Sequence, residues 1–239
     1  MSALKRKVAV SVVSAFLMFF LCYAVIPRTT TPTFLNEDAA ITLIIDPGHG
    51  GEDGGAVAGD GTRESVLNLE IALRTENLAA LLGVKPVMTR GTDVSIYDSG
   101  CTSIADKKSS DLRNRVSLVE RTPMAVLLSI HQNHFSESKY HGAQVFYAKT
   151  TGSESLAECM QQDLRTAIDP ANHRKCKPAE GIYLLQHISC PAVLVECGFL
   201  SNSAEARQLQ EETHQIKLTM SILRGIVRQG KAVYEGYEI

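Results

Sequence analysis

The sequence predicts an α/β domain: a mostly parallel sheet with helices on both faces, carried behind an N-terminal export segment. Three observations lead there. From residue 41 onward, short apolar runs rich in β-branched residues alternate with stretches of helical periodicity. Two of those runs, residues 125–130 and 192–195, are continuously apolar, as strands buried on both faces are. One uncharged run of nineteen residues, 8–26, stands apart at the N-terminus.

The elements follow in order. Residues 41–45 form an apolar β-branched strand ended by Asp46-Pro47-Gly48. Residues 64–82 place Val66, Leu69, Leu73, Leu78, Leu81 and Leu82 near helical spacing, and Gly83 closes the helix. Residues 84–89 give a second strand, and the polar stretch 91–110 reads as a long exposed loop. Leu112, Val116 and Val119 recur at i, i+4, i+7 and predict a helix over 111–121. The strand 125–130 follows, then strands at 144–147 and 181–185 with a helix over 154–168 between them. The strand 192–195 and a closing helix over 213–228 complete the domain, and no internal repeat is visible.

Lys5, Arg6 and Lys7 precede the uncharged run, which at 1.5 Å per residue covers most of a hydrocarbon core of roughly 30 Å. A buried core helix would show a polar stripe, and this run has none. Basic residues before it place the N-terminus in the cytoplasm and the rest outside. Residues 1–27 therefore read as a signal peptide or membrane anchor, residues 28–40 as a Thr/Pro-rich linker, and 41–239 as the exported domain. The whole chain carries 24 Lys+Arg against 26 Asp+Glu; the first 40 residues hold four basic and two acidic, leaving 20 against 24 beyond them. A domain of that balance has no electrostatic reason to bind nucleic acid. Beyond the N-terminal segment lie Cys101, Cys159, Cys176, Cys190 and Cys197, an odd number without CxxC spacing, which describes no disulfide framework.

Open α/β sheets carry functional groups just beyond the carboxyl ends of their strands. The first strand here delivers Asp46-Pro-Gly-His49 and a glycine-rich turn; that of residues 125–130 delivers His131-Gln-Asn-His134; that of residues 192–195 delivers Glu196. The glycine-rich turn is no dinucleotide fingerprint, because Asp53 stands at the third glycine position and the next helix begins eleven residues later. Two histidines and a carboxylate from separate elements suit a catalytic Zn²⁺ site with three protein ligands and one open position. His49 and His131 are the natural imidazoles, and Glu64, at a helix start, could be swung toward the metal by the glycine-rich loop. Spacing alone leaves a second reading open, in which these histidines are simply hydrogen-bonded groups at strand ends.

Ile44-Ile-Asp-Pro-Gly-His-Gly-Gly-Glu-Asp-Gly-Gly-Ala56, then Glu64, then Ser129-Ile-His-Gln-Asn133, then Pro191-Ala-Val-Leu-Val-Glu-Cys-Gly-Phe-Leu-Ser-Asn202 resemble the zinc N-acetylmuramoyl-L-alanine amidases of the family-3 type. The four motifs occur in the family's order and span residues 41 to about 229. The resemblance implies a six-stranded α/β domain, one Zn²⁺ per chain and peptidoglycan as substrate. By position, His49, Glu64 and His131 match the metal ligands and Glu196 matches the catalytic glutamate. A single catalytic domain behind one membrane segment resembles the germination-specific subgroup acting on spore cortex. In those relatives the amidase strips peptide from muramic acid so that a deacetylase can complete muramic-δ-lactam.

The implied chemistry is hydrolysis of the amide between N-acetylmuramic acid and L-alanine, with Glu196 moving the water's proton to the departing amine. The alternatives are a vegetative wall amidase, a zinc peptidase on stem peptides, and an inactive peptidoglycan-binding regulator. Asn133 and Arg115 are secondary candidates for substrate or supporting roles. His134 departs from the family's small residue there and is expected to be exposed or to support a ligand. Strand alternation turns Cys197 away from Glu196, as a packed thiol. A Glu64 delivered by a glycine-rich loop implies a loose empty site, and so an exported partner protein that orders it.

Overall fold

The computed structural model describes residues 41–235, with side chains through residue 230. The export segment of residues 1–27 and the linker of 28–40 lie outside the described residues. Twelve elements follow one another: β1 (Thr42–Pro47), α1 (Glu64–Leu81), β2 (Lys85–Met88), α2 (Ile104–Glu120), β3 (Ala125–Asn133), β4 (Gln144–Tyr147), α3 (Ser153–Ala167), β5 (Lys177–Pro178), α4 (Tyr183–Gln186), β6 (Ala192–Phe199), α5 (Ser203–Leu209) and α6 (Glu212–Glu235).

The strands form one six-stranded sheet in the order β2-β1-β3-β6-β4-β5. It is mixed: β1 pairs parallel with β2 and β3, β3 with β6, and β4 with β5, whereas β4 runs antiparallel to β6. The continuous apolar runs are the central strands, and alternation divides their side chains between two layers. Leu43, Ile45, Leu128, Ile130, Val193 and Val195 pack with Leu67 and Ile71 of α1, Leu156 and Met160 of α3, and Ile222 and Ile226 of α6. Ile44, Leu127 and Leu194 face the other way, onto Val119 of α2 and Leu184 and Leu185 of α4. Each fully buried Leu or Ile contributes about 1.5–3 kcal/mol, so both layers hold the sheet in one register.

Four expectations are corrected. The strand at 181–185 is instead the turn of helix α4: Gly181 takes φ 75°, and the Gln186 amide donates to Ile182 O at 3.1 Å, a helical i→i−4 bond. The sixth strand is the two-residue β5, too short to leave a periodic signal. The last third of the loop at 91–110 is a helix, because Ser103 caps α2 by accepting a hydrogen bond from the Asp106 amide at 3.0 Å. The inward stripe of α1 is Ser65, Leu67, Asn68, Ile71, Ala72 and Thr75, while Leu81 is 81% exposed. That stripe mixes apolar with polar residues, so hydrophobicity alone selects the wrong face. Helix α5, capped by Asn202, was not expected; its seven residues are too few to show a period.

Candidate metal centre

Parallel pairing brings three strand ends to one edge. Pro47 aligns with Ile130, and His131 aligns with Glu196, so His49, two residues past β1, meets His131 and Glu196 within the carboxyl-terminal halves of β3 and β6. Glu64 reaches the same place from the first residue of α1. Its approach differs from the sequence expectation. No loop swings it: the glycine-rich turn is folded by short pairings of Gly50 with Asp53 and Val57 with Arg63, and the Glu64 amide donates to Ala56 O at 2.8 Å.

Glu64 is 3% exposed and its carboxylate is fully engaged. Oε1 accepts from the Gln132 amide at 3.1 Å and from Asn68 Nδ2 at 3.3 Å; Oε2 accepts from the Ala56 amide at 2.9 Å. His131 Nδ1 lies 2.9 Å from Oε1, and His49 Nε2 lies 3.3 Å from Oε2. The imidazole rings stand 5.0 Å apart and nearly perpendicular, at 74°. Burial works to raise the Glu64 pKa, but the two histidines override it and hold the carboxyl far below its ordinary range. Burial likewise opposes a proton on His49, and its contacts with Glu64 and Asp53 outweigh that and raise its pKa. A buried carboxylate set between two imidazoles favours a cation among them.

The loop holding His49 is fixed from beneath by two buried guanidinium groups. Arg115 donates to Pro47 O at 3.0 Å and His49 O at 2.9 Å, and it pairs with Asp46 and Asp111. Arg90 donates to Pro47 O, Gly48 O and Ser65 O at 2.9, 3.0 and 2.9 Å. Burial works against ionisation of Asp46, but Arg115 with the hydroxyls of Ser129 and Thr89 overcomes it and holds the carboxyl below its usual value. These bonds explain how His49 keeps φ 61°, a conformation costly for a residue with a side chain. Arg115 thus supports the site from below. Arg90 was missed, since one arginine after a strand carries no distinguishing pattern.

Two glycines make the ligands' close approach feasible. A Cβ on Gly48 would lie 2.1 Å from the His131 ring, and one on Gly55 would lie 2.6 Å from Glu64 Oε2 and 2.7 Å from His49 Cδ2. Glu196 stands beside this group with Oε2 buried and unpaired among the described residues. Burial pushes its pKa up to about 7; the nearby Glu64 carboxylate adds to the rise, against the opposing pull of His131 and His49. His134 is exposed and outside the cluster. Asn133 closes β3, where its carbonyl accepts from the Leu200 amide at 2.8 Å. Cys197 is buried away from the site, and burial raises its thiol pKa strongly, as suits a packed residue.

The donor atoms of His49, Glu64 and His131 lie within 4.8 Å of one another, so one ion can bind all three. Two imidazoles and a carboxylate are the ligand chemistry of a catalytic zinc site, and an unpaired buried carboxyl oxygen alongside suits an added cation and water. A cleft of roughly 280 Å³ opens beside His49 and His131, walled by α2 and residues 181–184 and floored by Leu194.

Fold and site together define an α/β domain carrying a candidate metal centre of the catalytic kind. The chain belongs to the N-acetylmuramoyl-L-alanine amidase family, whose sequence profile matches residues 43–228. It is 38% identical over 187 residues to the germination-specific N-acetylmuramoyl-L-alanine amidase of Bacillus subtilis, covering 78% of each chain. It is 31% identical over 189 residues to the amidase LytC of the same organism, covering 78% of this chain and 35% of that protein. Among solved structures, the CwlD amidase from Clostridioides difficile in complex with the GerS lipoprotein superposes with a TM-score of 0.76 at 39% identity, covering 79% of this chain and 98% of that one.

Proposed function

We propose that this amidase uses one Zn²⁺, held by His49, Glu64 and His131, to cut the bond between N-acetylmuramic acid and L-alanine in spore-cortex peptidoglycan outside the cytoplasm. One observation carries the mechanism: a preassembled His-Glu-His donor set has beside it a second carboxylate, Glu196, whose Oε2 is buried and free of partners among the described residues. When bound, zinc supplies a Lewis acid for the amide carbonyl and makes water acidic enough to be deprotonated near neutral pH. Glu196 Oε2 is the acceptor for that proton, and the same oxygen returns it to the departing nitrogen of L-alanine, since an amide leaves poorly as an anion. Glu64 accepts hydrogen bonds on both oxygens and sits between the two imidazoles, a placement that suits a ligand rather than a base. The apolar wall formed by Leu112, Ile182, Leu184 and Leu194 excludes water from one side of the cleft.

The cortex assignment rests on likeness to the germination-specific relative. Export rests on residues 1–27. An exported partner is supported by the Clostridioides relative, described in complex with a lipoprotein. Because Glu64 is already locked in place, such a partner acts on something other than its delivery.

Glu196→Gln tests the mechanism. Glutamine preserves size and cannot take the proton, so turnover falls by at least about 100-fold while zinc content and melting temperature hold. Near-normal turnover in the zinc-loaded, folded variant would overturn the role of Glu196; loss of zinc would make it a ligand instead.

A further inference from the structure

His49 meets Glu64 through Nε2, and its other ring nitrogen is also engaged: Nδ1 lies 3.0 Å from Asp53 Oδ1. Asp53 Oδ1 also accepts from the Gly55 amide at 3.2 Å, at the glycine that packs against both His49 and Glu64. Asp53 Oδ2 is met by Lys108 Nζ of α2 at 3.5 Å. We infer that Asp53 is a positioning residue for the metal: it accepts a hydrogen bond from Nδ1–H of His49, leaves Nε2 as the nitrogen offered to the ion, and is itself tethered to α2 by Lys108. The inference rests on the metal reading proposed above.

The physical case turns on the two histidines being held differently. His131 offers Nδ1 toward Glu64, and the far side of its ring is fixed by close packing against Gly48, where no side chain could fit. His49 packs against Gly55 at Cδ2 and is as exposed as His131, at 22% against 21%; it differs in sitting on a turn at φ 61° with a carboxylate at its second ring nitrogen, and that hydrogen bond selects its tautomer and ring orientation. A carboxylate behind a metal-bound imidazole does both, and it raises the basicity of the ligating nitrogen. An ordinary surface ion pair between Lys108 and Asp53 would need neither the His49 contact nor the Gly55 amide. The Asp53 backbone is held independently, its amide and carbonyl pairing with Gly50 at 3.2 and 2.8 Å. Removing the side chain therefore leaves the turn in place.

The test uses the full chain with the substitutions Asp53→Ala, Asp53→Asn and Lys108→Ala, with His49→Ala as the reference for a lost ligand. Zinc affinity is measured by competition with a chelator, and histidine ring protons of the zinc-loaded chain are followed by ¹⁵N–¹H NMR. Asp53→Ala weakens zinc by about 10–100-fold, Asp53→Asn by less, and Lys108→Ala by a few-fold at most. The His49 Nδ1–H signal, protected from exchange in the parent, broadens or disappears in Asp53→Ala, while the melting temperature of the zinc-free chain stays put. Zinc affinity within about twofold of the parent in Asp53→Ala would overturn the proposal. So would a loss equal to that of His49→Ala, which would make Asp53 a ligand. If Asp53→Ala does not fold, Asp53→Asn decides on the same two readouts. A parent chain that binds no zinc defeats the metal reading and this proposal with it; a zinc-binding parent beside an unaffected Asp53→Ala defeats this proposal alone.

Discussion

Gly48→Ala puts one methyl group where the structure has no room for it. The new Cβ would lie 2.1 Å from both Cε1 and Nε2 of His131, whereas ordinary contact begins near 3.4 Å, so something must retreat by at least about 1.3 Å. The backbone of residue 48 is poorly able to yield. Its amide donates to Ile130 O at 3.0 Å, and its carbonyl accepts from Asn68 at 3.1 Å and Arg90 at 3.0 Å. Gly48 does not have a positive φ, so alanine meets no backbone penalty and the effect is steric alone. The His131 ring is what moves, and its 2.9 Å contact between Nδ1 and Glu64 Oε1 loses its present geometry. A misplacement of about 1 Å at a reacting centre costs on the order of 100-fold in rate, which sets the expected minimum loss of turnover. Zinc affinity falls with it, while β1 and β3 keep their pairing. Three measurements on one preparation decide: chelator competition for zinc, thermal melting of the zinc-free chain, and release of L-alanine amino groups from peptidoglycan fragments. Gly59→Ala is the control, since nothing lies within 4 Å of a Cβ there. Parent-like zinc affinity and turnover in Gly48→Ala would refute the argument that glycine is required to seat His131.

The other predictions concern the ligands, the buried ion pair and the substrate. His49→Ala and His131→Ala each lose the metal, whereas exposed His134→Ala retains most of it; metal analysis of the three proteins checks this. Asp46→Asn leaves Arg115 with Asp111 as its remaining carboxylate partner and costs ~3 kcal/mol, the low end for breaking a buried ion pair. Because the folded pKa of Asp46 lies below its ordinary value, that contribution is full above about pH 4 and fades as pH falls through the folded pKa. Urea unfolding of parent and variant from neutral pH down to pH 3 should therefore show a stability gap that narrows only at the acid end. Spores lacking the protein should contain no muramic-δ-lactam and more peptide-substituted muramic acid by mass spectrometry of digested cortex; unchanged lactam would refute the cortex assignment.

The one-dimensional pattern was sufficient for the central strands and the residues they deliver. Runs such as residues 125–130 can be buried only as central elements, and a polar residue at the end of such a run must emerge at the sheet edge, so His49, His131 and Glu196 were legible as neighbours. Family resemblance supplied Glu64, whose position at a helix start has a commoner explanation in the helix dipole. What the sequence could not decide depended on contacts between distant segments. The inward face of α1 is chosen by partners for Asn68 and by the packing of Ser65 and Thr75, not by apolar spacing. Tyr183–Gln186 is a helical turn whose Leu184 and Leu185 pack onto the α2 side of the sheet, a contact with distant strands that a local pattern does not carry. Glu64 is locked rather than mobile because Gln132, 68 residues away, closes on it. Arg90 and Asp53 are ordinary charges in the sequence and Arg115 only a secondary candidate; the tertiary structure brings Arg90 and Arg115 beneath the His49 turn and sets Asp53 against its ring, because buried carbonyls and a ligand imidazole must each find a partner.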